Sequence, residues 1–181
     1  QQLLRINAMA TLPIIVAPDP RLKAISAPVE KVDRRVRKLM DDMLESMYGA
    51  PGVGLSAVQI GVAQRIIVID VAKDPAPPAP LRLVNPERIW QSDEIAPAEE
   101  GCLSLPDHYA EVTRPTAVKV RYLDEHGKVQ TIDAEGLLGT VIQHEMDHLE
   151  GILFVDHLTS LKRNIILRKL IKTKRLQAAE A

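Results

Sequence analysis

The chain has 181 residues, 46% apolar and 26% charged, with a formal net charge of -1 at pH 7, a composition that suits one globular domain with a substantial core. So even a charge balance gives no overall field for DNA or an acidic membrane, and no apolar run nears the roughly 18 residues of a membrane span. One cysteine, Cys102, excludes an internal disulfide, and aromatics at 3% leave few platforms for stacked single-stranded nucleic acid.

Residues 1–8 are expected to be an extension, because Met9-Ala10-Thr11 resembles a natural start; residues 9–181 are expected to form a single domain. No basic start leads into a long apolar core, so no secretory signal is expected. Leu12 to Val16 is a short apolar run ending in the turn Ala17-Pro18-Asp19-Pro20. Asp33 is a fitting N-cap for a helix in which Val36, Leu39, Met40, Met43, Leu44 and Met47 recur at three- and four-residue spacing, up to Gly49. Its methionines read as core filler.

Ala50 to Gly61 is a Gly-rich loop. It matches neither phosphate-binding fingerprint, and a strand follows it instead of a helix. Two readings remain: Gly52 and Gly54 let backbone approach a ligand while Gln59 offers its amide as a donor, or the segment is a tight turn capped by Gln59. Arg65 to Val71 predicts a buried strand, and Lys73 to Pro80, with four prolines, an exposed loop. Leu81 to Val84 and Arg88 to Gln91 predict short strands split by Asn85-Pro86. Ala110 to Val112 and Ala117 to Leu123 alternate as strands, and Glu125-His126-Gly127 turns the second into a return strand over Lys128 to Ala134. A helix through Leu137 to Glu150 stops at Gly151, and a longer one covers Leu158 to Leu176 with an apolar stripe of Leu161, Ile165, Ile166, Leu170 and Ile171. With no βαβ alternation, the fold class is α+β: mostly antiparallel sheets packed around a central metal-binding helix, with N-terminal and C-terminal helices.

That central helix carries Gln143-His144-Glu145-Met146-Asp147-His148, an H-E-x-x-H pattern. Positions i and i+4 share a helix face, so His144 and His148 can present two imidazoles to one metal ion. Glu145 lies beside them, where a carboxylate can take a proton from a metal-bound water. The competing reading is a solvated polar face. An open catalytic site needs a third protein ligand. Downstream, Glu150, Asp156 and His157 are poorly spaced; upstream, Glu99-Glu100-Gly101-Cys102-Leu103-Ser104-Leu105-Pro106 carries the only thiol on what reads as an irregular strand end. Alone, such a cysteine reads as a small buried hydrophobe; beside H-E-x-x-H it completes a Cys-His-His set.

Gly52-Val53-Gly54-Leu55-Ser56-Ala57-Val58-Gln59, Glu100-Gly101-Cys102-Leu103-Ser104 and Gln143-His144-Glu145-Met146-Asp147-His148, in that order, resemble the three signature motifs of the peptide deformylase family. Pro18-Asp19-Pro20-Arg21-Leu22 and Leu83-Val84-Asn85-Pro86 are also similar to it. The resemblance implies a hydrolase that removes the formyl group from N-formylmethionyl nascent peptides, in the bacterial cytoplasm or an organelle, with residues 9–181 as one catalytic domain. It implies one divalent metal held by Cys102, His144 and His148, Fe2+ in the cell with Zn2+, Ni2+ or Co2+ as replacements. Glu145 is the implied general acid/base, with Gln59 and the backbone N–H of Leu103 at the oxyanion. The substrate backbone is implied to pair like an added strand near Val53, Gly54 and Gly101, with a side-chain pocket beside Glu100, Leu137 and Val141. Ser56 departs from the pattern, since most members carry two alanines there; its hydroxyl needs a partner.

Two other readings use the same motif. An ordinary H-E-x-x-H metallopeptidase needs a downstream Glu or His ligand and leaves Cys102 spare. A structural zinc domain needs a fourth protein ligand, such as Asp147 or His157. Finally, Lys162, Arg163, Arg168, Lys169, Lys172, Lys174 and Arg175 cluster near the C-terminus with Glu180 the only acid after Asp156. They read as a solvated helix face or, given the resemblance, as a contact with ribosomal RNA.

Overall fold

The computed structural model describes residues 10–181; the expected extension over residues 1–8 lies outside them, as does Met9. The elements in chain order are α1 (Arg34–Gly49), β1 (Gly54–Ser56), β2 (Ile66–Ile69), β3 (Leu81–Gln91), β4 (Ile95–Cys102), β5 (Leu105–Pro115), β6 (Ala117–Leu123), β7 (Val129–Glu135), α2 (Gly136–Leu149) and α3 (Ser160–Glu180). They build a five-stranded sheet ordered β1-β2-β3-β6-β7 and a two-stranded β4-β5 ribbon, with antiparallel pairing between all these strands. The α+β class read from the sequence is therefore the observed one. No helix among the described residues is long and apolar enough to cross a membrane.

β2 explains the layering. Its side chains alternate between faces, and both faces are covered, so all four residues are apolar. Ile66 and Val68, with Val84, pack against Met40, Met43, Leu44 and Met47 of α1. Ile67 and Ile69, with Leu83, Val118 and Val120, pack against Val141, Ile142 and Leu149 of α2. Asp33 caps α1 as expected, accepting from the Val36 N–H at 3.0 Å. A third apolar cluster joins Ile15 and Leu22 to Leu105 and Val112 of β5, Phe154, and Leu170 of α3.

Three sequence expectations are revised. β3 is one strand, not two: the ladder to β6 slips between Val84 and Glu87 and then resumes. Asn85 sits there with φ at +51°, its side chain exchanging two 2.8 Å hydrogen bonds with the backbone of Val29, so the irregular step stays satisfied. The ribbon is the second, since the sequence predicts only Ala110 to Val112 and an irregular strand end at Cys102 in it. Only Glu100, Leu105, Val112 and Arg114 of the ribbon are buried, two of them charged, so its strands carry little apolar period. The stripe on α3 is also different: Leu161 and Ile165 are 72% and 43% exposed, and Leu170, at 4%, with Ile166 and Leu167 holds the helix to the third cluster.

Candidate active site

α2 runs from Gly136 to Leu149, and just beyond it Gly151 has a φ of +70° and lies so close to the Lys23 carbonyl that a Cβ would be 2.5 Å from its oxygen. The helix is buried on most of its surface, and His144 and His148 sit one turn apart with ring centroids separated by 5.0 Å. β4 delivers Cys102 from the other side. The liganding atoms of Cys102, His144 and His148 all lie within 4.8 Å of one another, and Cys102 Sγ is 3.4 Å from His148 Nε2.

The trio is braced from behind. Glu100 Oε1 lies 2.9 Å from His144 Nδ1, which leaves Nε2 facing the cluster. Both Glu100 oxygens accept from Arg114, Nε at 2.6 Å and Nη2 at 2.9 Å. The Arg114 Nη1 group donates to Asp147 at 2.9 Å, and Asp147 also lies 2.7 Å from His157 Nε2. Glu100 thus lines the cleft as expected, but its carboxylate is engaged with His144 and Arg114.

Burial and neighbours set the charges. Burial alone would raise the Glu100 carboxyl, but Arg114 and His144 hold it below its ordinary range. Burial pushes Glu145 up, with His144 and Ser56 pulling the other way. His148 is held well below its ordinary value by burial and then by His144, which favours the neutral imidazole a metal needs. His144, despite its burial, is raised well above its ordinary value by Cys102 and Glu100.

Glu145 is buried next to the trio, with Oε1 4.0 Å from His144 Nε2. Gly54 makes room for it: a Cβ there would lie 2.7 Å from Glu145 Oε1 and 2.9 Å from Val141 Cγ1. The Gly-rich loop therefore admits one of the protein's own carboxylates. Of the two sequence readings of Gln59, the turn cap is the one observed. Its Oε1 accepts from the Ser56 N–H at 2.9 Å, capping the turn, while Nε2 donates to Ser104 Oγ at 3.0 Å and points at Cys102 Sγ at 3.6 Å.

A cleft of about 590 Å³ opens onto this arrangement. Val53, Gly54, Glu100, Gly101, Leu137 and Val141 all line it, as do Cys102, Leu103, His144 and Glu145. Gln59 and His148 are buried behind it. Leu103 lies in the tight turn between β4 and β5.

The sequence profile of the family described as polypeptide deformylase matches residues 11–164. The chain belongs to the polypeptide deformylase family. It is thereby an enzyme, a hydrolase of the peptide deformylase kind. It is 57% identical to a peptide deformylase of Phenylobacterium zucineum over 164 residues, 91% of this chain and 97% of that one. The crystal structure of a peptide deformylase from Legionella pneumophila is 47% identical, with a TM-score of 0.87, and covers 93% of this chain and 98% of that one. A structure of the Ehrlichia chaffeensis peptide deformylase in complex with actinonin is 40% identical, with a TM-score of 0.89, covering 92% and 99%.

The rival readings find no support in the deformylase geometry. Glu150 pairs with Arg65, Asp156 with Lys23, and His157 with Asp147. Among the described residues only Cys102, His144 and His148 group as metal donors, so neither the peptidase's downstream ligand nor a fourth structural ligand is present. Sequence reasoning missed Arg114, and also Tyr109 and His108, which line the cleft from β5. No spacing signal could have found them, because the ribbon carrying them was itself hard to read.

Proposed function

We propose that this enzyme hydrolyses the formamide of N-formylmethionyl nascent peptides, using one divalent metal ion held by Cys102, His144 and His148. The observation that carries the reading is the convergence of those three donors beside the Glu145 carboxylate, with Cys102, His144 and Glu145 lining the cleft and His148 buried just behind it. A soft thiolate with two imidazoles, one of them oriented by a carboxylate, fits ferrous iron, and also zinc, nickel or cobalt. When bound, the ion supplies a Lewis acid that makes a water nucleophilic at neutral pH and offsets charge on the formyl oxygen.

The protein's own groups supply the rest. Glu145, its proton affinity raised by burial, takes a proton from the attacking water and later delivers it to the leaving amine. Gln59 Nε2 and the Leu103 N–H stabilise the negative charge that develops on the formyl oxygen. β1 is the outer strand of its sheet and β4 has one strand edge unpaired, so both flank the cleft with backbone groups. A substrate backbone adds between them like a strand near Val53, Gly54 and Gly101, which reads the main chain and tolerates varied sequences. The methionine side chain takes the pocket beside Leu137 and Val141.

Residues 9–181 form the single catalytic domain in this reading. The action is in the bacterial cytoplasm, where formylated chains emerge, and the basic face of α3 docks on ribosomal RNA. DNA and membranes have no part in it. The test is deformylation of formyl-Met-Ala-Ser by protein purified anaerobically, with metal analysis in parallel. Release of formate that tracks bound iron supports the reading; metal-loaded protein that releases none overturns it.

A further inference from the structure

Among the described residues, Ser56 alone is hydrogen-bonded to both the Glu145 and the Gln59 side chains, those assigned to proton transfer and oxyanion stabilisation. Its hydroxyl lies 2.6 Å from Glu145 Oε2 and 3.0 Å from the Glu145 carbonyl oxygen. Its own N–H donates to Gln59 Oε1 at 2.9 Å. The residue is fully buried and fixed in β1 by its pairing with Ile67 of β2.

A serine hydroxyl has one proton to give. The shorter contact, to an acceptor that can be charged, takes it; the helical carbonyl is already served by the ladder of α2. Without competing water, a hydrogen bond to a buried carboxylate is worth more than on the surface. Oε2 is thereby held, and Oε1 is left on the His144 side, in the space that Gly54 vacates.

We propose that Ser56 is a positioning residue: its hydroxyl pins Oε2 of Glu145, so that Oε1 alone faces the reacting atoms and carries the proton. This rests on the deformylase reading for the reaction, but the contact itself does not. Because β1 anchors Ser56, the same backbone that forms one wall of the cleft sets the angle of the general base. The Ser56 N–H sets Gln59 from the same point, so the base and the oxyanion donor share one reference.

The test is Ser56→Ala in the metal-loaded enzyme, a change that only removes atoms. The expected result is a fall in kcat of about 10–100-fold, the worth of one hydrogen bond to a charged group. KM and the metal-to-protein ratio are expected to stay within about twofold. In a Glu145→Gln background the same substitution is expected to have no further effect, since the two residues act as a unit. Independently of substrate, infrared difference spectra of 13C-glutamate-labelled protein, with and without Glu145→Gln, isolate the Glu145 carboxylate bands. Those bands are expected to move in Ser56→Ala. Unshifted bands, a kcat within twofold of the parent, or a loss shared with metal content overturns the proposal. A wild-type enzyme inactive on formyl peptides instead overturns the deformylase reading, and the infrared bands still decide the role of Ser56.

Discussion

At the scale of single residues, the proposed mechanism gives the holding of a metal and the moving of a proton to different side chains. Glu145→Gln keeps the shape of the side chain and removes its basicity. Turnover on a formyl peptide is expected to fall roughly 10²–10⁴-fold, with metal content unchanged, because one residue is proposed to serve both proton transfers. Near-parental turnover in that variant removes Glu145 from the mechanism. Cys102→Ser is expected to lose metal as well as activity, since a hydroxyl is a far poorer ligand than a thiolate at neutral pH; full occupancy measured after dialysis contradicts the ligand role. Helical spacing made the grouping of His144, Glu145 and His148 legible because it converts directly into geometry, whereas Cys102, on a strand end, joined them only through the chemistry of a Cys-His-His set and the family resemblance. The sequence could not show Arg114, whose grip on Glu100 and Asp147 joins residues 14 and 33 positions away. Nor could it show that Ser56 has Glu145 as its partner, only that its hydroxyl needed one.

At the scale of elements, legibility followed the apolar period. α1, α2 and β2 bury continuous or one-sided apolar sets, and their limits fell within about two residues of expectation. β4 and β5 lie in a ribbon that buries few side chains, so their pattern carried little signal. For α3 the helix was legible and its buried face only in part: Ile166 and Leu170 of the expected stripe pack on the core and Leu161 and Ile165 do not, since so many apolar residues lie on the helix that several stripes could be drawn. Truncation after Lys172 leaves the Leu170 anchor in place, and activity on a short formyl peptide is expected to be almost unchanged. The same truncation is expected to reduce co-sedimentation with ribosomes, and the full-length binding to weaken with salt at a slope of about 0.7–0.9 per phosphate contact. Equal sedimentation of both proteins at low salt makes the basic face a solvated one. The short turn Phe154–His157 before α3 carries a pH dependence. Asp156, partly buried, is held below its ordinary value by Lys23, the Leu153 N–H and Arg163. A depressed folded value means its contribution is present above the unfolded pKa of about 3.9 and is lost as the pH falls through the folded value. Asp156→Asn is therefore expected to be less stable at neutral pH, with the gap to the parent closing in acid below about pH 4, as followed by thermal melts.

At the scale of the whole molecule, two bodies meet at the cleft. The five-stranded sheet with α1 and α2 encloses two of the apolar clusters; the β4-β5 ribbon packs with Phe154 and α3 in the third. His144 and His148 belong to the first body and Cys102 to the second. Across that seam the described side chains place Arg114 and Glu100 against Asp147 and His144. An ion held by all three donors would also act as a rivet, fastening a small ribbon to a large sheet, and its removal is expected to unfasten that joint before it unfolds a core. Chelation is expected to speed amide hydrogen exchange in β4 and β5 first, while β2, buried on both faces, keeps its protection. Uniform acceleration throughout the chain would instead mean that the two bodies open as one.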